Sequence, residues 1–547
     1  MTVDRQAPPE ARRPIDEAAG GSGGPAPDGG GRPRVPEILP NLRSVVIAFV
    51  VAVLVAGIAL RSWAASPLWL DEAQTVAISS LPLDQLFQAL REDGSPPLYY
   101  LLLHAWMLAF GHGDLAVRGF SAIWSVATLP LLWLLVRRLS GSRSVGWIAV
   151  VLFAASPFAV RYATEARMYS FIVLLTVLGG FALASLRRPG PLPVLGVALV
   201  AGALALSHYW TLFLLMILGA GMLWLALRRR VGKLGGKRGD ELGRAATKGL
   251  LGLALGAVPF LPWLPSFIHQ LIHTGAPWAN AAWFTSVGGT VDSWSGGGLP
   301  GQFLGFLYWA FAAIGFAGRV EDGRLVLGRP TGRVQVALVV FAFGPITLGV
   351  AASHVMSSAY ADRYSAIGLV SFLILIAYGI AVLPRGLQYP LVCLVAVFGL
   401  LAGVTEISRD RTQAGQVAEV INEQGQPGDV VVVCPDQLGP GVRRLLPGDR
   451  FRQVAYPTFA DPARVDWTDY EARNEAADPA AFADRMRRFA GDHTVWYAYA
   501  DGYRTLKHEC SELRSELQEQ FGNSRTFVRE RTSVLESETL VRFNARR

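Results

Sequence analysis

Long apolar runs begin at residue 44 and recur to residue 405, and the short links between them return repeatedly to arginine. Hydrophobic residues make up 52% of the 547, which is high for a soluble globular chain. In a bilayer no water can bond an exposed backbone, so such runs must be helices. The formal net charge of +8 then reads as a topology signal, because Lys and Arg gather in cytoplasmic links. It is not read as a footprint for nucleic acid.

Residues 1–43 are rich in Pro, Gly, Ala and Arg and cannot bury a core, so a disordered cytoplasmic tail is expected there. No apolar signal-peptide core precedes residue 44, and the first span, 44–60, is expected to direct insertion and emerge near Arg61. Leu83, Leu86, Phe87 and Leu90 form a helical stripe that suits a helix lying in the interface. The next apolar stretch, Pro96 to Phe110, is shorter than the roughly 17–25 residues a span needs. Counting it as a span would place Arg137, Arg138, Arg143 and the basic link 228–248 outside; leaving it as a short re-entrant or surface helix keeps them inside. Ten further spans follow, at about 115–136, 145–160, 170–186, 192–206, 209–227, 246–267, 302–318, 333–352, 364–383 and 389–405, for about eleven in all. The long outward link 268–301 contains no Lys or Arg, in keeping with that alternation.

Beyond residue 405 the pattern changes. Residues 429–434, 494–499 and 539–543 read as strands, and 412–424, 478–490 and 503–520 as helices. The expected organisation is a tail (1–43), a membrane domain (44–405) and an extracytoplasmic α/β domain (406–547). Cys393 lies in an apolar run, while Cys434 and Cys510 both fall in the α/β domain, where pairing is left open.

Polar and aromatic residues with chemical potential collect at the outward ends of the spans. Asp71-Glu72 follows the first span. Arg161 to Tyr169 forms a short link holding Glu165, Arg167 and Tyr169; His208 sits at another helix end; and Arg363-Tyr364 precedes the tenth span. The 268–301 link adds Trp278, Trp283, Phe284 and Trp294 among glycines, which suits a mobile lid over sugar faces. Each feature also has a plain structural explanation: an acid favoured in a first helical turn, snorkelling Arg and Tyr, or a surface ion pair of little energy. Together they supply an acid for proton removal and a guanidinium suited to phosphate.

The succession Trp69-Leu70-Asp71-Glu72, Ser95-Pro96-Pro97-Leu98-Tyr99-Tyr100, Ala116-Val117-Arg118-Gly119-Phe120-Ser121-Ala122, Ala154-Ala155-Ser156-Pro157, Glu165-Ala166-Arg167-Met168-Tyr169 and Arg363-Tyr364 resembles the GT-C glycosyltransferases. Within them it is similar to the polyprenyl- and dolichyl-phosphate sugar transferases, a family that includes protein O-mannosyltransferases and aminoarabinose transferases. The likeness is good over 44–225 and weaker to 405. It implies Asp71 as base with Glu72 beside it, Glu165 as the acid of the second outer loop, and Arg363 with Tyr364 on the lipid phosphate. Some members have Asp where this chain has Glu165, which leaves a metal role for that position open.

The resulting expectation is an inverting glycosyltransferase of the plasma membrane, with a polyprenyl-monophosphate sugar donor and a polysaccharide, lipid or protein acceptor of the cell envelope. Arg118 and Arg167 are further phosphate candidates; His208, Tyr169 and Trp283 are candidates for contacting acceptor or sugar. A divalent cation, Mg or Mn, on Asp71 and Glu165 is left open. Two rivals stand beside this reading: a transporter or flippase of lipid-linked sugars, which needs polar groups at mid-membrane, and a non-catalytic anchor for the α/β domain.

Overall fold

A computed structural model of the chain describes residues 38–232, 236–274, 282–330, 332–355 and 360–544. Most of the expected tail, residues 1–37, and Trp278 lie outside the described residues. The first helix, Ile38–Leu60, starts before the predicted position 44. From Ala48 onward the chain forms one compact unit, so the membrane helices and the α/β part share a single body.

Among the described residues seven helices are long and apolar enough to cross a membrane: Asp114–Ser140, Thr211–Arg230, Gly239–His273, Gly298–Ala317, Arg333–Ser353, Asp362–Val382 and Arg385–Ser408. The pair Arg143–Ala154 and Pro157–Ala163, bent by 55°, makes an eighth if counted as one span. Ser44–Leu60, Tyr169–Ser185 and Leu192–Ala205 are apolar but shorter, and the expectation of eleven spans depends on including them. Leu98–Phe110, the stretch set aside as too short, is a helix of 13 residues. The architecture is that of a polytopic helical membrane protein.

The bend in the broken pair has a local cause. Pro157 cannot donate to the carbonyl four residues earlier, that of Phe153. Ser156 caps the second helix by accepting from Ala159 N. Arg61, only 1% exposed, takes over the freed carbonyls. Its guanidinium donates to Phe153 O at 2.7 Å and Ala154 O at 2.8 Å, and also to Gly57 O and Ser125 Oγ. Gly57 makes room for this, since a Cβ there would lie 2.4 Å from Ala154 O. Arg61 therefore does more than mark the end of a span: it bonds the backbone at a break.

The α/β part is a five-stranded sheet in the order Arg452–Ala455, Val430–Cys434, Val495–Tyr499, Thr539–Phe543, Ser524–Val528. The first three strands are parallel and the last two join antiparallel. Val430, Val432 and Cys434 pack with Phe482, Met486 and Leu513 of helices Pro479–Ala490 and Glu509–Phe521. Val431 and Val433 pack on the opposite face with Val417 and Ile421 of helix Ala414–Gln424. A strand buried on both faces reads as an unbroken apolar run, hence the four consecutive valines. Cys434 and Cys510 are disulfide-bonded, joining a strand to a helix.

Strands Arg452–Ala455 and Ser524–Val528 were not anticipated, nor was a hairpin, Gly318–Glu321 with Arg324–Leu327, in a link expected to face inward. Its turn residues Asp322 and Gly323 both have positive φ, the conformation a two-residue Asp-Gly turn requires.

Replacing Arg61 with Leu strands the Ala154 carbonyl and leaves Phe153 O with only the 3.3 Å bond from Ser156 N, and roughly 1–3 kcal/mol is lost for a buried group left unpaired. Thermal unfolding of the purified variant in detergent should show a clearly lowered midpoint; an unchanged midpoint would rule out this role.

Candidate active site

Helix Leu70–Ser79 brings Asp71 and Glu72 to one end of the helix bundle. The two carboxylates face different surroundings. Glu72 is fully buried. Arg118 grips it with two bonds, Nε to Oε1 at 2.8 Å and a terminal nitrogen to Oε2 at 2.7 Å. The Ala166 amide donates to Oε1 at 2.9 Å, and Arg411 stands 3.6 Å from Oε2. Arg118 spends its remaining donors on Ser66 O and Pro67 O. Glu72 and Arg118, expected at the reaction and at the phosphate, are therefore committed to each other and to the backbone of the first loop. The buried bidentate pair locks that loop to helix Asp114–Ser140.

Asp71 is held loosely by comparison. Its Oδ2 has no hydrogen-bond partner among the described residues. It faces Arg363 at 3.4 Å and Arg167 at 3.9 Å. Arg167 is positioned by Thr75 Oγ1 (2.8 Å) and Tyr100 OH (3.2 Å), and its Nε has no hydrogen-bond partner among the described residues. Arg363 lies over the Trp69 and Tyr364 rings, 5.6 Å from each centroid. Glu165, fully buried, accepts from Trp69 Nε1 at 2.7 Å and so fixes that ring, while its Oε2 has no partner among the described residues.

The other expected residues extend this cluster. Tyr169 packs on His208 at 5.8 Å and His208 on Tyr364 at 4.9 Å, with Trp210 also against Tyr364. Desolvation, and the charges of Arg167 and Arg363, push the His208 imidazole down to about 3, so it is neutral at physiological pH. Links far apart in sequence thus meet as one wall of rings around two guanidiniums and a carboxylate. Trp283 does not join them: it is 78% exposed, and its neighbour Phe284 stacks on His354 instead.

A cavity of about 740 Å³ opens beside the cluster. Arg161, Tyr162, Asp292, Asp362, Arg363 and Glu406 are in its lining, with Gly296, Gly297 and Gly298. It reaches the site through Arg363. Arg161 pairs with Glu406 at 2.9 Å across this wall. Glu406, just past the last apolar run and in the final turn of helix Arg385–Ser408, went unnoticed in sequence. Arg411 and Glu536, also unnoticed, lie among ordinary polar residues with no local pattern to mark them.

Among the described residues no three of His, Cys, Asp and Glu come together as a metal site. Asp71 already faces two guanidiniums, which repel a cation. Asp71 and Glu165 therefore do not fit the divalent ion considered for them.

The helical body thus carries an acid, two arginines and a wall of aromatic rings in one cluster. Residues 94–238 match the family described as dolichyl-phosphate-mannose-protein mannosyltransferase. That stretch holds Arg118, Glu165, Arg167, Tyr169 and His208. The fold is similar to ArnT from Cupriavidus metallidurans bound to undecaprenyl phosphate, with TM-score 0.55 and 13% identity over 91% of this chain and 98% of that one. It is also similar to the apo state of that protein, with TM-score 0.51 and 12% identity over 92% and 98%. Arabinofuranosyltransferase AftD from Mycobacteria matches at TM-score 0.49 and 14% identity, over 92% of this chain and 40% of its own. No curated protein matches the chain. The family match covers residues 94–238 alone, and the likeness over the rest of the chain is one of fold.

Removing Arg118 leaves the buried Glu72 with only Arg411 at 3.6 Å and the Ala166 amide, where breaking a buried pair costs up to roughly 3–5 kcal/mol. Arg118→Met should therefore lower the unfolding midpoint far more than Arg363→Met does. Equal midpoints in a thermal melt of the two purified variants would count against the locking role of Arg118.

Proposed function

We propose that the protein moves a sugar from a polyprenyl-monophosphate donor to a cell-envelope acceptor at the outer face of a cytoplasmic membrane, with inversion at the anomeric carbon. The observation that carries this reading is Asp71 Oδ2, buried and without a hydrogen-bond partner among the described residues, set before Arg363 and Arg167. The two ion pairs, at 3.4 and 3.9 Å, are longer than charge-assisted hydrogen bonds. An arriving phosphate can draw both guanidiniums toward itself and leave the Asp71 carboxylate to accept a proton.

In the reaction an acceptor hydroxyl oxygen attacks the anomeric carbon. A new C–O bond forms there while the bond from that carbon to the phosphate oxygen breaks, its electron pair leaving with the polyprenyl phosphate. Asp71 takes the hydroxyl proton. The leaving phosphate needs positive charge and no proton, and Arg363 with Arg167 supplies it. Tyr364 accompanies Arg363 at the phosphate, while Tyr169 and neutral His208 offer ring faces and a hydrogen-bonding nitrogen to the sugar. Trp69, held by Glu165, backs Arg363. The polar cavity beside Arg363 suits a hydroxyl-rich sugar of donor or acceptor.

Three features support the donor class and the side of the membrane. The similar ArnT structure is of a protein bound to undecaprenyl phosphate. The arginine distribution along the chain supports an outward position for the Asp71 end. The Cys434–Cys510 disulfide belongs to an oxidising compartment. The α/β part would then lie outside with the site.

Transfer can be measured in reconstituted membranes, using a panel of radiolabelled polyprenyl-phosphate sugars with native membrane extract as acceptor. Asp71→Asn should reduce label transfer at least about 1,000-fold while the protein still binds undecaprenyl phosphate. Arg363→Ala should weaken that binding at least about tenfold, as expected for losing a charge-assisted contact. Normal turnover by Asp71→Asn would sink the assignment.

A further inference from the structure

The catalytic helix lacks a cap of its own. Leu70–Ser79 begins after Trp69, whose side chain makes no capping bond. The first amides of a helix need an acceptor, and the Leu70 amide, adjacent to Asp71, finds one far away in sequence. It donates to Glu536 Oε1 at 2.8 Å. Glu536 comes from the α/β part, just before strand Thr539–Phe543, and is 6% exposed.

Glu536 is itself held by the segment that leaves the last membrane helix. Its amide donates to Arg411 O at 2.9 Å, and its carbonyl accepts from Gln413 N at 3.0 Å. From the same segment the Arg411 amide donates to Ser66 Oγ, and the Arg411 guanidinium reaches Thr164 O, Thr164 Oγ1 and Glu72. One turn further along the catalytic helix, Gln74 forms a two-way bond with the Val465 backbone, accepting at 2.9 Å and donating at 3.2 Å. The start of the helix and the residue before its base are thus built partly from the α/β part.

We propose that Glu536 is a positioning residue for catalysis: it caps the Asp71 helix from the α/β part and sets the direction of Asp71 toward Arg363 and Arg167. The α/β part is then a component of the active centre rather than an appended module. This rests on the reading of Asp71 as the base.

The surroundings of Glu536 give the role a pH signature. Asp71 and Glu72 face it from the capped helix and Glu538 from its own segment, with Tyr503 near Glu536 and Glu538 and Arg411 on the adjoining segment. Burial, chiefly, and then the neighbouring carboxylates push Glu536 up to about 8. The folded protein therefore holds a proton on Glu536 that the unfolded chain loses near 4.5. The linked stability is fully present below that value and is lost as pH rises through about 8. A neutral carboxyl still accepts from Leu70 through its carbonyl oxygen. A charged one adds an anion beside Asp71 and Glu72.

The test uses full-length protein in reconstituted membranes, with wild type, Glu536→Ala, Glu536→Gln and Asp71→Asn compared by amide hydrogen exchange and by label transfer from the polyprenyl-phosphate sugar panel. Glu536→Ala should raise exchange in peptide 66–79 at least about tenfold, leave the strand peptides 430–434 and 495–499 protected, and slow transfer at least about tenfold with little change in the donor KM. Glu536→Gln, which keeps the acceptor, should restore exchange and most of the rate, and should lose less activity than wild type above pH 8. Unaltered exchange at 66–79 in Glu536→Ala overturns the proposal, and so does altered exchange with a normal rate. Loss of protection throughout the α/β part in both Glu536 variants overturns it too, since the effect is then general. If Asp71→Asn still transfers label, the underlying reading of the base fails instead, and this inference falls with it.

Discussion

The site depends on a carboxylate that does no chemistry. Glu72 is fully buried and bound by Arg118 and the Ala166 amide, with Arg411 close by. Those partners come from the second long helix, the second loop and the segment after the last helix. A buried charge must be satisfied by such partners or it is expelled by its desolvation cost. Its presence therefore requires three distant segments to arrive together. Asp71, one residue away, inherits that placement while its own carboxylate remains loosely paired.

Adjacent acids on a helix point about 100° apart, and this permits the division of labour. Glu72 points into the body of the protein and is consumed by structure. Asp71 points toward Arg363 and Arg167. The same separation appears among the arginines. Arg118 is spent on Glu72 and two carbonyls, whereas Arg363 and Arg167 stand at 3.4 and 3.9 Å from the Asp71 carboxylate, and Arg167 also donates to the Asp71 carbonyl. In a low-dielectric setting two guanidiniums beside one carboxylate leave a net positive charge at this point of the site. The Trp69 and Tyr364 rings flank the Arg363 guanidinium, while Thr75 and Tyr100 hold Arg167.

Much of the fold was legible because bilayer and backbone rules act locally. Every expected span coincides with an apolar helix or helix pair, and the stretch 96–110 was set aside on its length and on the charge of the links that follow. The strands at 430–434 and 495–499 showed as apolar runs because both faces are buried. Strands Arg452–Ala455 and Ser524–Val528 were missed because they sit at the sheet edges, half exposed and with mixed polarity. Within the site, Asp71, Glu165, Arg167, Tyr169, His208, Arg363 and Tyr364 were found from their positions at helix ends, and the structure gathers them. Trp283 shared the composition of its neighbours but remains in solvent or lipid, because an aromatic in a glycine-rich link carries no information about where it packs.

The sequence by itself determined a multi-pass helical body, an α/β segment after it, and the end of the bundle at which acids, arginines and rings collect. Those follow from hydropathy, periodicity and charge, which are properties of neighbouring residues. Only the tertiary structure decided which acid is structural and which stands before the arginines. It alone showed that Arg61 bonds the carbonyls freed by Pro157, and that Glu536 caps a helix beginning at Leu70. Each of these is a hydrogen bond between residues far apart in the chain, chosen because a buried polar group must find a partner wherever the fold provides one. No local pattern encodes that choice, since the partner's identity depends on how the whole body closes.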